Sequence, residues 1–428
     1  MIRFEYSTKI VDNVLCELER AEKYIRIAMF QIHRNDVFDL LESKLKEGVK
    51  IEVFTLPHES VKPKIFESVK KNFEKIEKLG AKTYLCWWNV GSPLRTSTNV
   101  YPDSWFSFHG KFVVTEKSAI TLSANFLDED ELDALLIFEK NDKQIQLYNK
   151  KFDWLIENFS DPSNKIRTLI ENAKKYPKEK IPILLKPEER VKNKELREHW
   201  VRDYPGEICQ EPSTINDGLY ISPFDCRARS YLEKIIEESN FAFISSETLT
   251  DEDFGKFLIN QRQKGKEIKL LSSGISADFQ SRTNSIFQNM ISFGIDVGIP
   301  KKDIHGKLVI TNKRVVVSSV NINKIGLGIR NSKTLDKWRA NTETITVVSD
   351  KTIIDEAKKQ YKSEFKDSRS FIDLLVEKEK KIVMEDLKNM DMKIDESTLE
   401  HIIREKIEDD AKSYRKYLEK IRSHSEKI

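Results

Sequence analysis

The sequence predicts an α/β protein built from two similar halves, because one order of helices and strands occurs twice. Residues 11–56 and 227–272 each alternate two amphipathic helices with two apolar strands. Tyr24 and Phe241 open matching strands of the two halves. They are separated by the same number of residues as Gly48 and Gly265, which begin the matching strands GVKIEVF and GKEIKLL. A shared offset indicates duplication, and the alternation favours a mostly parallel sheet flanked by helices in each half.

Each half continues with a third helix and strand and then with a nearly matching segment. These are FHGKFVVTEKSAITLSANF at 108–126 and IHGKLVITNKRVVVSSVNI at 304–322. Fewer residues separate these two segments than separate the earlier pairs of matching strands. This shorter separation means that the first half carries an insertion, which falls in an aromatic loop at 86–108. Trp105 in this loop is a candidate for stacking on a substrate base, and ordinary packing of the insertion is the alternative.

The pattern divides the chain into four parts. We predict an N-terminal half at 1–140, a helical bridging segment at 141–217, a C-terminal half at 218–350 and a helical extension at 351–428. In the extension the apolar residues recur every three and four positions, which is typical of amphipathic helices. A helical tail outside the repeat is expected to dock on its own protein or on a partner.

Composition and charge exclude several classes of protein. The 73 basic and 70 acidic residues leave a net charge of +3, so a polyanion would have to bind in a local cleft. No apolar run approaches the length of roughly 18–20 residues that a membrane span needs, so we expect none. The four cysteines form no CxxC pair, which favours reduced thiols. The first residues lack the basic-then-apolar layout of a signal peptide, so we expect a cytoplasmic protein.

Two His-Gly-Lys triplets are the sharpest chemical feature of the sequence. Each triplet opens an apolar strand, and an asparagine in a small-residue turn follows at the same interval after each histidine. Each half then reaches an acidic residue at the start of another apolar strand. The residues concerned are His109, Lys111, Asn125 and Asp133 (or Glu131) in the first half, and His305, Lys307, Asn321 and Glu343 in the second.

This set of residues suits phosphodiester chemistry. Histidine and lysine two residues apart on a strand point to one face. Lysine gives a fixed positive charge, and asparagine and serine give donors for the phosphate oxygens. One imidazole can attack phosphorus while the second protonates the leaving oxygen, and an acidic residue on the far nitrogen of each histidine fixes its tautomer. Neither a metal nor a cofactor is required, because lysines and donors meet the charge.

The pattern resembles the phospholipase D superfamily, in its nuclease-like branch, whose repeated motif is His-x-Lys, four residues, Asp, then Gly-Ser-x-Asn. The resemblance covers about 1–140 and 218–350 and implies two phospholipase-D-like repeats that share one cleft. It implies that His109 and His305 are the catalytic pair, with His109 as the nucleophile. It further implies that Asp133 and Glu343 orient them and that the phosphate is bound by Lys111, Lys307, Asn125, Asn321, Ser123 and Ser319.

The sequence departs from the family motif at three places. The motif Asp falls on Glu116 in the first half and on Asn312 in the second. The Gly before the Ser is Leu122 or Ser318, and the interval from His to Asn is one residue short in both copies. Family members that cleave nucleic acid tolerate loss of the Asp, so the resemblance favours nucleic acid over lipid.

We therefore predict a metal-independent phosphodiesterase that cleaves nucleic acid through a phosphohistidine intermediate, with DNA preferred to RNA. An endonuclease of repair, restriction or phage defence would fit. Lys301 and Lys302, just ahead of the second motif, are expected to attract a phosphate backbone. Two alternatives stay open: a phospholipid hydrolase or transferase, and a non-catalytic nucleic-acid-binding scaffold. Two motifs in one chain make a monomer sufficient, while 351–428 could form a homodimer or bind a helicase or translocase.

Overall fold

The computed structural model describes residues 1–56, 63–86, 108–128, 130–160, 214–247, 249–273, 280–328, 341–389 and 394–409. Trp105 and most of the predicted bridging segment lie outside these ranges. Within them, no helix is both long enough and apolar enough to cross a bilayer.

The first half forms a seven-stranded sheet in the order β1-β7-β6-β5-β2-β3-β4. Its elements are β1 (Ile2–Ser7), α1 (Ile10–Glu19), β2 (Tyr24–Met29), α2 (Asn35–Lys46), β3 (Lys50–Thr55), α3 (Pro63–Lys78), β4 (Lys82–Leu85), β5 (Lys111–Thr115), β6 (Ser118–Leu122), β7 (Asp133–Glu139) and α4 (Asp142–Phe159).

The second half repeats this order as β8-β14-β13-β12-β9-β10-β11, with β15 added at the edge. The duplication predicted from the sequence is therefore confirmed strand by strand. The elements are β8 (Gly218–Ser222), α5 (Ala228–Glu237), β9 (Phe241–Ser246), α6 (Glu252–Gln263), β10 (Glu267–Ser272), α7 (Gln280–Ser292), β11 (Asp296–Ile299), β12 (Leu308–Thr311), β13 (Val315–Ser318), α8 (Lys324–Leu327), β14 (Glu343–Val348), α9 (Lys351–Asp367), β15 (Arg369–Ser370) and α10 (Phe371–Asn389).

The α/β class is confirmed, but the sheets are mixed rather than mostly parallel. Strands β2, β3 and β4 pair in parallel, because a helix lies between each strand and the next. Strands β5, β6 and β7 follow one another without a helix, so they return antiparallel, and β1 pairs antiparallel with β7. The second half has the same division.

The strands that carry the motifs are buried on both faces. In the first half, Val113 and Ile120 pack in a cluster with α1, α2 and α3. Phe112 and Val114 point to the opposite face and join a second cluster, which includes Phe243 and other residues of the second half. The apolar runs in β5 and β6 arise because helices cover one face and the other half covers the opposite face.

Hydrogen bonds between buried hydroxyls also join the two halves. The Tyr6 hydroxyl lies 2.7 Å from Ser245 Oγ. Thr121 Oγ1 lies 2.7 Å from Thr346 Oγ1, and the Tyr148 hydroxyl contacts both threonines. These contacts fix one sheet face to face with the other.

Helix α9 begins where the helical extension was predicted to begin, yet it packs within the body formed by the two halves. Gln360 Oε1 accepts a hydrogen bond from the backbone amide of Tyr6 at 2.7 Å, and the Tyr361 hydroxyl donates to the Ile244 carbonyl at 2.9 Å. The position of α9 after β14 matches that of α4 after β7. The remaining helices, α10 and residues 396–409, are helical as expected and pack on each other through Val376, Leu399 and Ile403.

An ion pair at equivalent positions of the two halves has opposite polarity. In the first half Asp12 on α1 pairs with Arg34 at 2.8 Å. At the corresponding positions of the second half, Arg229 on α5 pairs with Asp251. The first pair is partly exposed, whereas both side chains of the second are buried.

We predict that Asp251→Asn lowers the free energy of unfolding by roughly 3 kcal/mol, because the buried Arg229 guanidinium loses its nearer carboxylate and keeps Glu233 at 3.9 Å. The amide oxygen can still cap α6, where Asp251 accepts from the Phe254 amide. The matched change Asp12→Asn is expected to cost about 1 kcal/mol or less, since that pair is exposed. Denaturant unfolding of both variants measures the difference, and equal losses would contradict it.

Candidate active site

Backbone contacts between the halves bring the two motifs together. The His109 amide donates to the Thr342 carbonyl at 2.8 Å, and the His305 amide donates to the Leu132 carbonyl at 3.1 Å. Thr342 and Leu132 are the residues immediately before the two predicted acidic positions. Each histidine is therefore held beside the acidic residue of the opposite half.

The two carboxylates pair with the histidines across the interface. His109 Nδ1 lies 2.9 Å from Glu343 Oε2, and His305 Nδ1 lies 3.2 Å from Asp133 Oδ1. Each acidic residue contacts the Nδ1 nitrogen, as the sequence suggested, but the histidine that it contacts belongs to the other half. A carboxylate on Nδ1 favours the tautomer whose proton is on that atom, which leaves Nε2 to react.

Ser123 and Ser319, predicted to contact substrate, lie behind the carboxylates. Ser123 Oγ donates to Asp133 Oδ1 at 2.6 Å and accepts from the Ala134 amide at 2.8 Å. Ser319 Oγ contacts Glu343 Oε2 and accepts from the Thr344 amide in the same way. Both serines are fully buried, so their hydroxyls orient the carboxylates. Substrate contact by either serine stays a prediction.

The motif lysines curl back on their own histidines. Lys111 Nζ lies 3.3 Å from His109 Nε2 and donates to the His109 carbonyl at 3.0 Å. Lys307 Nζ donates to the His305 carbonyl at 2.6 Å. Burial lowers the pKa of Lys111 to about 7, and the nearby Lys307 charge adds to this effect. The two ammonium groups therefore share one low-dielectric site, where each raises the cost of charging the other.

His109 is held neutral by its surroundings. Burial lowers its pKa to about 4, although the Glu343 carboxylate acts in the opposite direction. For Asp133, burial alone would raise the pKa, but His305, Lys307 and Ser123 together lower it below its usual value. At neutral pH the site thus contains an uncharged His109 imidazole and an ionised Asp133.

The two predicted asparagines lie half-buried beside the motifs. The Oδ1 atoms of Asn125 and Asn321 are buried and accept no hydrogen bond from the residues that the structure describes. Since buried polar atoms are usually paired, these oxygens are available to a hydrogen-bond donor, while phosphate binding by either asparagine stays a prediction. Lys301 and Lys302 are exposed, and their predicted role and that of Trp105, outside the described ranges, stay predictions.

Glu247 contacts the site but was not predicted from the sequence. Its Oε2 atom lies 3.9 Å from His305 Nε2 and 3.7 Å from Lys307 Nζ. Burial alone would raise its pKa, but Lys307, His305, His109 and Lys111 together lower it. The offset shared by the two repeats could have revealed the position, because Glu247 follows β9 as Phe30 follows β2.

One group of side chains in the described ranges could hold a metal ion. Glu131, Asp133 and His305 each offer one ligand atom, and these atoms lie within 4.8 Å of one another. Two carboxylates and one imidazole suit a divalent cation. His305 Nδ1 and Ser123 already contact the Asp133 oxygen, so a cation would compete with these hydrogen bonds.

Glu116 and Asn312, which replace the motif Asp, have a structural role. Glu116 accepts from the backbone amides of Glu22 at 2.8 Å and Tyr24 at 3.2 Å. Asn312 accepts from the Asn240 amide at 2.8 Å. Both side chains therefore tie the β5–β6 or β12–β13 turn to the start of a neighbouring strand. The departure from the motif is thus no argument against lipid as a substrate.

We predict that Glu116→Ala lowers the free energy of unfolding by about 1–2 kcal/mol, because two backbone amides lose their acceptor. The ring signals of His109 and His305 in nuclear magnetic resonance (NMR) spectra are expected to stay unchanged. Asn312→Ala is the matched change in the other half. A variant of unchanged stability with displaced histidine signals would contradict the structural role.

The low pKa of His109 makes the stability of the fold depend on pH. Between pH 6.5 and about 4 the unfolded chain binds a proton at this histidine that the folded chain does not bind. The free energy of unfolding therefore falls as the pH falls, and this residue accounts for roughly 2 kcal/mol between pH 7 and pH 5. Denaturant unfolding at both values is expected to show a smaller loss in His109→Gln. An equal loss would show that His109 is not buried in its neutral form.

Comparisons with known proteins agree with this geometry. The family described as "Cardiolipin synthase, PLD-like domain" matches residues 14–156 and 232–367, both repeats and more than half of the chain. The second match extends to the end of α9, in agreement with the packing of that helix.

Among solved structures, phosphatidylserine synthase of Haemophilus influenzae superposes with a TM-score of 0.59 at 12% identity, covering 86% of this chain and 87% of that one. Polyphosphate kinase of Porphyromonas gingivalis gives a TM-score of 0.49 at 15% identity, and this chain, 84% of which is covered, spans only 46% of its length. Nuc of Salmonella typhimurium gives 0.29 at 15% identity, covering 36% of this chain and 97% of that one. No curated protein matches the sequence.

The two repeats, the crossed histidine–carboxylate pairs and the match over both halves lead to one conclusion. The chain belongs to the PLD-like domain family of the phospholipase D superfamily.

Proposed function

We propose that this protein is a metal-independent phosphodiesterase that cleaves nucleic acid through a phosphohistidine intermediate. The observation that carries the proposal is the joint site of His109 and His305. Each ring has a carboxylate from the opposite half on Nδ1 and a lysine two residues along the chain. Such a site supplies a nucleophile, an acid and two lysine donors to one phosphate.

In the first step the lone pair of His109 Nε2 attacks phosphorus, and the bond from phosphorus to the leaving oxygen breaks. The leaving oxygen takes the proton of His305 Nε2 and departs as an alcohol. Lys111 and Lys307 offset the charge that grows on the other phosphate oxygens. His109 suits the role of nucleophile because its imidazole is neutral at physiological pH.

In the second step a water molecule attacks phosphorus and gives one proton to His305 Nε2. The phosphorus–nitrogen bond breaks, and its electron pair returns to His109. Both histidines are then in their starting state, and one water has been consumed for each bond cleaved.

Nucleic acid as the substrate is supported by the exposed pair Lys301 and Lys302, which precede the second motif by a few residues. Cations at this place favour the approach of a phosphate backbone. The preference for DNA and a part in repair, restriction or phage defence rest partly on the family resemblance, and the proposed cytoplasmic location rests on the sequence. A helicase or translocase bound through α10 and the residues after it would be a partner of this activity.

Phospholipid transfer is the second candidate. The fold superposes over nearly the whole length of a phosphatidylserine synthase. An acceptor alcohol can replace water in the second step without any change in the histidine chemistry. A binding scaffold without activity would need neither a neutral His109 nor the crossed carboxylates.

The test is cleavage of end-labelled single- and double-stranded DNA and RNA in EDTA, with a phospholipid turnover assay on the same preparations. We expect wild type and the exposed-histidine control His401→Ala to cleave DNA equally. His109→Ala and His305→Ala are expected to lose at least about 10²–10⁴-fold while binding is kept. Loss of wild-type cleavage in EDTA would point to a cation at Glu131, Asp133 and His305. Lipid turnover alone would favour the second candidate, and binding without turnover would favour the scaffold.

A further inference from the structure

The two repeats give the histidines different neighbours at one pair of equivalent positions. Strands β2 and β9 correspond in the two repeats, and the first residues after them are Phe30 and Glu247. Both side chains reach the histidine of their own half. An aromatic ring thus stands in one half where a carboxylate stands in the other.

Phe30 and Lys111 surround the reactive side of His109. The Phe30 ring meets the imidazole edge to face, with ring centroids 4.7 Å apart. Lys111 Nζ lies 3.3 Å from His109 Nε2 and 5.5 Å from the centre of the Phe30 ring. An ammonium that donates to Nε2 requires an imidazole without a proton on that atom. These neighbours therefore favour the form of His109 that attacks phosphorus, in agreement with its low pKa.

His305 has a carboxylate on each side of its ring. Asp133 faces Nδ1 at 3.2 Å, and Glu247 faces Nε2 at 3.9 Å. The second distance is too long for a hydrogen bond but short enough for an ion pair. Among the residues that the structure describes, Glu131, beside Asp133, and Lys307, which also faces Glu247 at 3.7 Å, are further charged neighbours. A negative charge at Nε2 favours a proton on that nitrogen.

We propose that Glu247 is a positioning residue that keeps the transferable proton on His305 Nε2, so that His305 acts as the acid and His109 as the nucleophile. This inference rests on the proposed function. The Asp133 and Glu343 carboxylates occupy equivalent positions and both face Nδ1, whereas Phe30 and Glu247 differ in charge. Glu247 itself transfers no proton and acts only through His305.

The test compares two phosphodiesters of thymidine that differ in the leaving group. A p-nitrophenolate leaves without a proton, whereas an alkyl alcohol needs one. We expect Glu247→Gln to lower kcat/KM by about 10–100-fold on the alkyl ester and less than about 2-fold on the nitrophenyl ester. The control is Glu267→Gln, which removes the same charge from β10 of the same half, and it is expected to match wild type on both esters. Equal losses on the two esters would overturn the proposal.

A second measurement does not depend on turnover. NMR of ¹⁵N-labelled histidine shows, in the full-length chain at neutral pH, which ring nitrogens of His305 carry a proton. The share of His305 rings with a proton on Nε2 is expected to be smaller in Glu247→Gln than in wild type or Glu267→Gln, and an identical share would overturn the proposal. If the wild type cleaves neither ester, the proposed function fails, and this measurement still decides whether Glu247 holds the proton.

Discussion

The site depends on the exchange of carboxylates between the two halves. Glu343 of the second half holds His109, and Asp133 of the first half holds His305. Each histidine therefore receives the carboxylate on its Nδ1 atom from the opposite half. The chemistry requires the two sheets to meet at one distance and in one register, and the buried hydroxyl contacts between them serve this requirement.

The close approach explains why the middle residue of each His-x-Lys triplet is glycine. A Cβ atom on Gly110 would lie 2.7 Å from the Phe108 ring and 2.8 Å from the Thr344 methyl group. At Gly306 a Cβ atom would lie 3.0 Å from the Leu132 carbonyl oxygen. Packing this tight leaves no room for a methyl group without a shift of the interface. The glycines are therefore set by the contact between the halves rather than by the chemistry of the triplet.

Much of the fold could be predicted because, in a duplicated sequence, many pairs of corresponding elements are separated by the same number of residues. The histidines, lysines and acidic residues of the site could be predicted as well, since each occurs in both halves in the same order. The exchange between halves could not, because spacing along the chain does not say which acid meets which histidine. Ser123 matched a motif position, but its burial behind Asp133 depends on the tertiary structure and could not be predicted from the motif. Helix α9 has the same amphipathic period as α10, so the sequence could not show that α9 packs between the halves while α10 joins the core of the second half through Phe371.

The reversed ion pairs bear on the fate of a gene that contains two similar repeats. A recombination between the repeats whose crossover falls between Asp12 and Arg34 deletes one period and fuses α1 of the first half to the strands of the second. Such a product keeps one His-x-Lys motif and has the outline of a protein that assembles as a twofold dimer. It would, however, place Asp12 at the position of Arg229, opposite Asp251, and two carboxylates would meet in a buried site that now holds a pair of opposite charge. The polarity of one ion pair thus acts against the loss of a repeat through a crossover at this place.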